Sequence, residues 1–177
     1  MRFKMLTLFT SLALVSIGSV ASERMVYGVS ETAKLTDIEL ELPAKLDTGA
    51  VTASLSAQNI EVFKRDDEEW VRFQLAVEGE KEGKQLEMPV VRTSKIRRRA
   101  ADVPDGASET HTARPVIEME VCMGNTLHNI EVNLTDRTAF SYPLLIGSTA
   151  LQQFDAVVDP SLEYSAGSPR CAEAGAA

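Results

Sequence analysis

Hydrophobic and polar positions alternate with a period of two along much of the chain. Between Trp70 and Val77 the apolar residues Val71, Phe73, Leu75 and Val77 interleave with Arg72, Gln74 and Ala76, the pattern of a half-buried strand. Ile117, Met119, Val121 and Met123 alternate in the same way with Glu118, Glu120 and Cys122. The alternation resumes at Ile130, Val132 and Leu134 after the turn signal Gly124-Asn125, so 116–135 reads as a β-hairpin with Cys122 on its polar face. Further strands are expected over 36–47, 55–63, 84–92 and 155–159, and one short helix over 149–154 behind a Gly-Ser start. Charged, Gly-containing stretches at 66–69 and 78–84 read as hairpin ends. The interval from Lys95 to Arg114 breaks the pattern and is expected to be a long excursion from the sheet, the kind of loop that in compact domains is more often functional or mobile than idle. The prediction is an all-β single domain with one short C-terminal helix.

The N-terminus follows a different pattern. Arg2 and Lys4 precede an uncharged run from Met5 to Val20, and the small residues Ser19, Ala21 and Ser22 offer a cleavage site before Glu23. Residues 1–22 are therefore expected to be a secretory signal peptide, since a retained span needs roughly 20 apolar residues and this run is shorter and carries Thr and Ser. The expected working protein is periplasmic, has no stable membrane anchor after signal cleavage, and consists of one domain over 23–165 with a flexible tail over 166–177. At 177 residues, 44% hydrophobic and 25% charged, the chain has the balance of one compact globular domain. Its 26 acidic and 18 basic residues give a net charge of −8. Loss of Arg2 and Lys4 with the signal would leave 16 basic residues and a net charge of −10, which argues against a broad footprint for nucleic acid or an anionic membrane. Export also gives meaning to the cysteines. Cys122 and Cys171 are expected to pair, closing a loop of about 50 residues for about 4 kcal/mol of loop entropy; the alternative is two unpaired thiols.

Candidate chemistry centres on Ala44-Lys45-Leu46-Asp47-Thr48-Gly49-Ala50, where a carboxylate ends an apolar strand and is followed by a hydroxyl and a glycine that permits a tight turn. The triplet alone is also an ordinary turn sequence. What raises it is Tyr142-Pro143-Leu144-Leu145-Ile146-Gly147 about a hundred residues on, a hydrophobic run ending in glycine and opening a short helix. Together with Trp70 to Phe73, Arg114 to Ile117 and Asn133 to Arg137, in that order, these segments resemble the bacterial retropepsin-like peptidases, many of which carry the label ATP-dependent zinc protease. The resemblance spans about residues 27–165 and implies a retropepsin-like acid-protease barrel. One position departs from the expected pattern: Ser148 stands where a basic residue is expected after Leu-Ile-Gly.

The resemblance implies an aspartic peptidase, which needs two carboxylates, and the chain offers one such motif. A C2 homodimer that places Asp47 against its symmetry mate is therefore implied, with Thr48 bracing the dyad across the two-fold axis and Gly49 keeping the turn close. Such a pair shares one proton and titrates as a unit, so activity should fall as pH rises past its upper macroscopic pKa. Ala50, Ile146 and Gly147 are expected to contact a peptide or protein substrate. Lys95, Arg97, Arg98, Arg99 and Arg114 gather five cations within twenty residues. If the excursion covers the dyad as a flap, Lys95, Arg97, Arg98 and Arg114 would favour acidic or glutamate-rich peptides, because guanidinium groups match carboxylates bidentately. The alternative is a solvated strand end balanced by Asp102, Asp105 and Glu109.

The zinc label finds little in the residues. His111 and His128 are the only histidines, 17 positions apart, without His-Glu-x-x-His or a cysteine cluster. No phosphate-cradling glycine loop is present, and neither a metal nor another cofactor is expected. Two further readings remain beside the peptidase: a non-catalytic peptide-binding module of the same fold in the cell envelope, and a metal-dependent hydrolase.

Overall fold

The computed structural model describes residues 24–79, 82–97 and 111–171. The chain runs through β1 (Val26–Gly28), β2 (Ser30–Leu35), a 3-10 turn (Thr36–Ile38), β3 (Leu40–Asp47), β4 (Ala53–Arg65), β5 (Glu68–Leu75) and β6 (Gln85–Pro89). It continues through β7 (Arg92–Arg97), β8 (His111–Met123), β9 (Thr126–Thr135), β10 (Leu144–Gly147), α1 (Ser148–Gln153) and β11 (Val157–Asp159). Six strands close a barrel in the order β10-β3-β2-β8-β9-β4, with β4 returning to pair with β10. The alternating residues of these strands fill it: Leu42, Ala44 and Leu46 of β3, Ile117, Met119 and Val121 of β8, and Ile130, Val132 and Leu134 of β9 are buried together. Burial of this apolar set is the main stabilising term, at about 25 cal/mol per Å².

β4 belongs to two layers. Ala53 to Ser56 pair with β9 inside the barrel, while Ala57 to Arg65 pair with β5, which carries β6 outward. The change of allegiance is made at an irregularity between Gln58 and Glu61, where Asn59 takes φ 52°, a left-handed conformation that asparagine tolerates better than most residues.

Several expectations change. The stretch 36–47 is not one strand: Thr36–Ile38 form a 3-10 turn, and Glu39 at φ 50° separates it from β3. The stretch 84–92 divides into β6 and β7 after Pro89. The expected excursion is also shorter, because β7 and β8 form a ladder from Arg92↔Val116 to Arg97↔His111. Lys95, Arg97 and Arg114 are therefore strand residues. The ladder lacks an apolar alternation because its better-covered face is itself only half-buried, through Ser94 and Ile96, against exposed Thr93 and Lys95. Arg98, Arg99 and the acidic residues Asp102, Asp105 and Glu109 lie outside the described residues, as does the expected signal segment 1–22.

The C-terminal segment is packed through residue 171. The fully buried Glu31 carboxylate accepts hydrogen bonds from the Gly28 amide (2.6 Å), the Ser165 amide and hydroxyl (3.1 and 2.8 Å) and the Ala166 amide (3.1 Å). The Arg170 amide donates to Gly124 O (2.7 Å), and Cys171 is disulfide-bonded to Cys122 with Cα atoms 5.9 Å apart. This covering segment buries Cys122 although its position belongs to the polar face of β8. The remaining expected tail, 172–177, lies outside the described residues.

Candidate active site

Asp47 is the last residue of β3, in register with Gly147 of the parallel strand β10. The chain then turns over Thr48–Thr52 into β4, and Asp47 Oδ1 accepts the amides of Gly49 (2.9 Å) and Ala50 (3.2 Å). The carboxylate is thus oriented by its own turn, as expected of a short acidic side chain beside a glycine. Asp47 and Ala50 are half-exposed, and Thr48 and Gly49 are exposed.

The back of this turn is fastened to β10 and α1. The Ser148 amide donates to Ala50 O (2.7 Å) and the Thr149 amide to Val51 O (3.1 Å). A Cβ on Gly147 would lie 2.7 Å from Val51 O and 2.8 Å from Thr52 C, so only glycine allows this approach. Ile146 has no exposed surface. The expected substrate contacts from Ile146 and Gly147 are corrected accordingly: both are buried and support the Asp47 turn from behind. Ser148, at the departure from the expected pattern, starts α1 and contributes its amide to the same support.

Cations surround the turn. Arg137, in the loop between β9 and β10, is 8% exposed. Its Nη1 donates to Ser54 Oγ (2.8 Å) and its Nε to Tyr142 O (3.1 Å), and its guanidinium lies 4.9 Å from the Phe140 ring centroid. Arg114 of β8 donates through Nη1 to Asn133 Oδ1 (3.3 Å), while its buried Nε has no partner. Asn133 and Ser54 are register partners across β9 and β4, so the two guanidinium groups dock on adjacent polar side chains. Burial lowers the pKa of Arg114 from the usual arginine range. Arg137 is lowered by burial and then by the like charge of Arg114, with Asp47 acting in the opposite sense. Arg92 of β7 pairs with Glu131 (2.6 Å) and reaches Thr52 Oγ1 (3.2 Å). Lys45, two residues before Asp47 and on the same face of β3, places Nζ 6.0 Å from the Tyr142 ring centroid.

Of the residues expected to meet substrate, the structure brings Ala50 and Arg114 to this region, and Lys95 lies exposed on β7. The Arg97 side chain and Arg98 lie outside what is described. Arg137, Arg92 and Lys45 are additions; Arg137 stands in the Asn133-to-Arg137 motif, but a lone charge after a strand end carries no sign of its burial. His128 packs edge-on against Phe154, with ring centroids 4.8 Å apart. Among the described residues no group of three or more His, Cys, Asp or Glu is placed to hold a metal ion.

Comparison with known proteins bears on this geometry. Residues 26–169 match the RimB-like family, described as retropepsin-like aspartic endopeptidase RimB. The crystal structure of Lpg0085, a protein of unknown function (DUF785) from Legionella pneumophila, superposes with a TM-score of 0.65 and 34% identity, covering 81% of this chain and 99% of that one. Proteins named probable alpha-L-glutamate ligase are similar as well. That of Desulfotalea psychrophila is 33% identical over 137 residues, 73% of this chain and 27% of the relative. That of Parasynechococcus marenigrum is 30% identical over 157 residues, 84% of this chain and 31% of the relative. The chain thus spans about a quarter to a third of the length of these relatives.

Proposed function

Since the chain belongs to the RimB-like family of retropepsin-like aspartic endopeptidases, we propose that it is an exported endopeptidase that hydrolyses peptide bonds with an aspartate dyad formed across a homodimer. The observation that carries this reading is the presentation of Asp47, whose Oδ1 is held by the Gly49 and Ala50 amides on a turn fastened to β10. One Asp47, protonated, donates a hydrogen bond to the scissile carbonyl; the other takes a proton from water as its oxygen adds to that carbon. The tetrahedral species collapses by breaking the C–N bond, and the dyad delivers a proton to the leaving amine. Thr48 braces the pair across the two-fold axis.

The proposed substrates are acidic or glutamate-rich peptides. The basic side chains around Asp47 support this, as does the likeness to part of proteins named for glutamate ligation. The test is cleavage of a diverse peptide pool by residues 23–177 between pH 4 and 8, read by mass spectrometry beside Asp47→Asn and a chelator control. Cleavage lost in Asp47→Asn and insensitive to chelator supports the dyad. Cleavage that survives the substitution but not the chelator would favour a metal-dependent hydrolase, and peptide binding without turnover by either form a binding module.

A further inference from the structure

Near the Asp47 turn one guanidinium, Arg137, is held out of water and a second, Arg114, is half-buried, with too little negative charge among the described residues to balance them. Arg137 is 8% exposed and Arg114 has a buried, unpartnered Nε, yet among the described residues neither forms an ion pair with a carboxylate. Their recorded hydrogen-bond partners are neutral: the Ser54 hydroxyl, the Tyr142 carbonyl and the Asn133 amide. A buried cation without a counter-ion is costly, and a buried N–H without an acceptor adds to the cost. Among the described residues Asp47 acts to offset the charge of Arg137, while the like charge of Arg114 adds to it. One carboxylate against two guanidiniums leaves a surplus of one positive charge per copy. In a dyad that shares one proton between two carboxylates, the surplus over the dimer grows to three. The site is therefore charged for an anion that the described residues do not supply.

We infer that Arg114 and Arg137, anchored side by side on Asn133 and Ser54, form the specificity subsite that receives a substrate carboxylate next to Asp47. The inference rests on the peptidase reading of the site and moves acid recognition from Lys95, Arg97 and Arg98 to half-buried Arg114 on β8 and buried Arg137 in the loop after β9. The register of β4 with β9 fixes the separation of the two anchors, and a planar guanidinium held at Asn133 offers paired N–H donors, the geometry that discriminates a carboxylate from an amide. A lysine at 114 would keep the charge and lose that plane.

The test uses equilibrium binding, so that it does not depend on turnover. In the Asp47→Asn background, calorimetry compares a peptide whose only charged residues are four consecutive glutamates with its glutamine counterpart. The glutamate peptide is expected to bind at least about tenfold more tightly. Arg114→Met should reduce that ratio by about tenfold, and Arg114→Lys should recover only part of it. Arg137→Met should act in the same direction; should it fail to fold, the two Arg114 variants decide. An unchanged ratio in Arg114→Met, full recovery with lysine, or equal binding of the two peptides by the parent would each overturn the inference. Selective binding lost with Arg114, in a protein whose wild type cleaves neither peptide, would leave the subsite standing and remove the peptidase reading.

Discussion

Two groups of arginines in this molecule are built in opposite ways. On the outer ribbon, Arg65 and Arg72 share Glu87, Arg72 also reaches Glu61 (3.4 Å), and Arg65 lies 4.2 Å from the Trp70 ring centroid. These side chains are exposed, and solvent would serve them nearly as well as their partners do. At the barrel, Arg137 is withdrawn from solvent and Arg114 half-buried with its Nε covered, and neither pairs with a carboxylate among the described residues. Pairing is complete where it contributes least and missing where a missing partner costs most. A stability argument accounts for the first group and leaves the second unexplained, which is why the second marks the working part of the barrel.

The contrast can be broken at four points. Asp47→Asn removes the carboxylate that faces Arg137 and should lower kcat/KM by roughly a thousandfold or more, with circular dichroism and dimer mass unchanged. Gly147→Ala puts a methyl group against Val51 O and should cost about 1–3 kcal/mol in urea unfolding as the turn shifts, with most activity lost. Arg137→Leu leaves the Ser54 hydroxyl and the Tyr142 carbonyl unpaired and should cost about 1–3 kcal/mol in the same assay. Stabilisation by this change would mean that the arginine is held purely at the expense of the fold. Glu87→Gln, at the outer ribbon, should move the thermal midpoint at neutral pH by no more than about two degrees. Hydrogen bonds from Arg72 and then Arg65 hold the Glu87 carboxyl below its ordinary 4.5. Its contribution is therefore present above 4.5 and is lost as pH falls through the lower folded value, so the wild type and variant should converge in acid.

Much of the barrel was legible because its strands bury one face. The alternations at 70–77 and 116–135 became β5, β8 and β9, and the Gly-Ser start before 149 became α1. β2 escaped because its first two residues, one on each face, are polar yet buried: Ser30 and Glu31 have no exposed surface, and Glu31 is satisfied in part by backbone amides more than a hundred residues away. β7 escaped because even its better-covered face is only half-buried and carries Ser94 beside Ile96, so no apolar period is imposed on it. At the site, Asp47 was legible from a strand, an acid and a glycine in sequence. Arg137 was not, since its meaning lies in burial beside Arg114, brought about by the pairing of β4 with β9. Ile146 and Gly147 were read as substrate contacts from the motif that carries the family resemblance, whereas in the fold they lie buried behind the Asp47 turn and support it.

The most direct test of the account is to hold wild-type protein at a fixed concentration, add increasing Asp47→Asn protein under conditions of subunit exchange, and follow cleavage of a glutamate-rich peptide. If each dyad takes one Asp47 from each of two copies, mixed dimers are inactive; activity should fall to about half at equal amounts and about a tenth at ninefold excess. Activity that stays constant across the titration would show that a single copy suffices and would contradict the shared dyad.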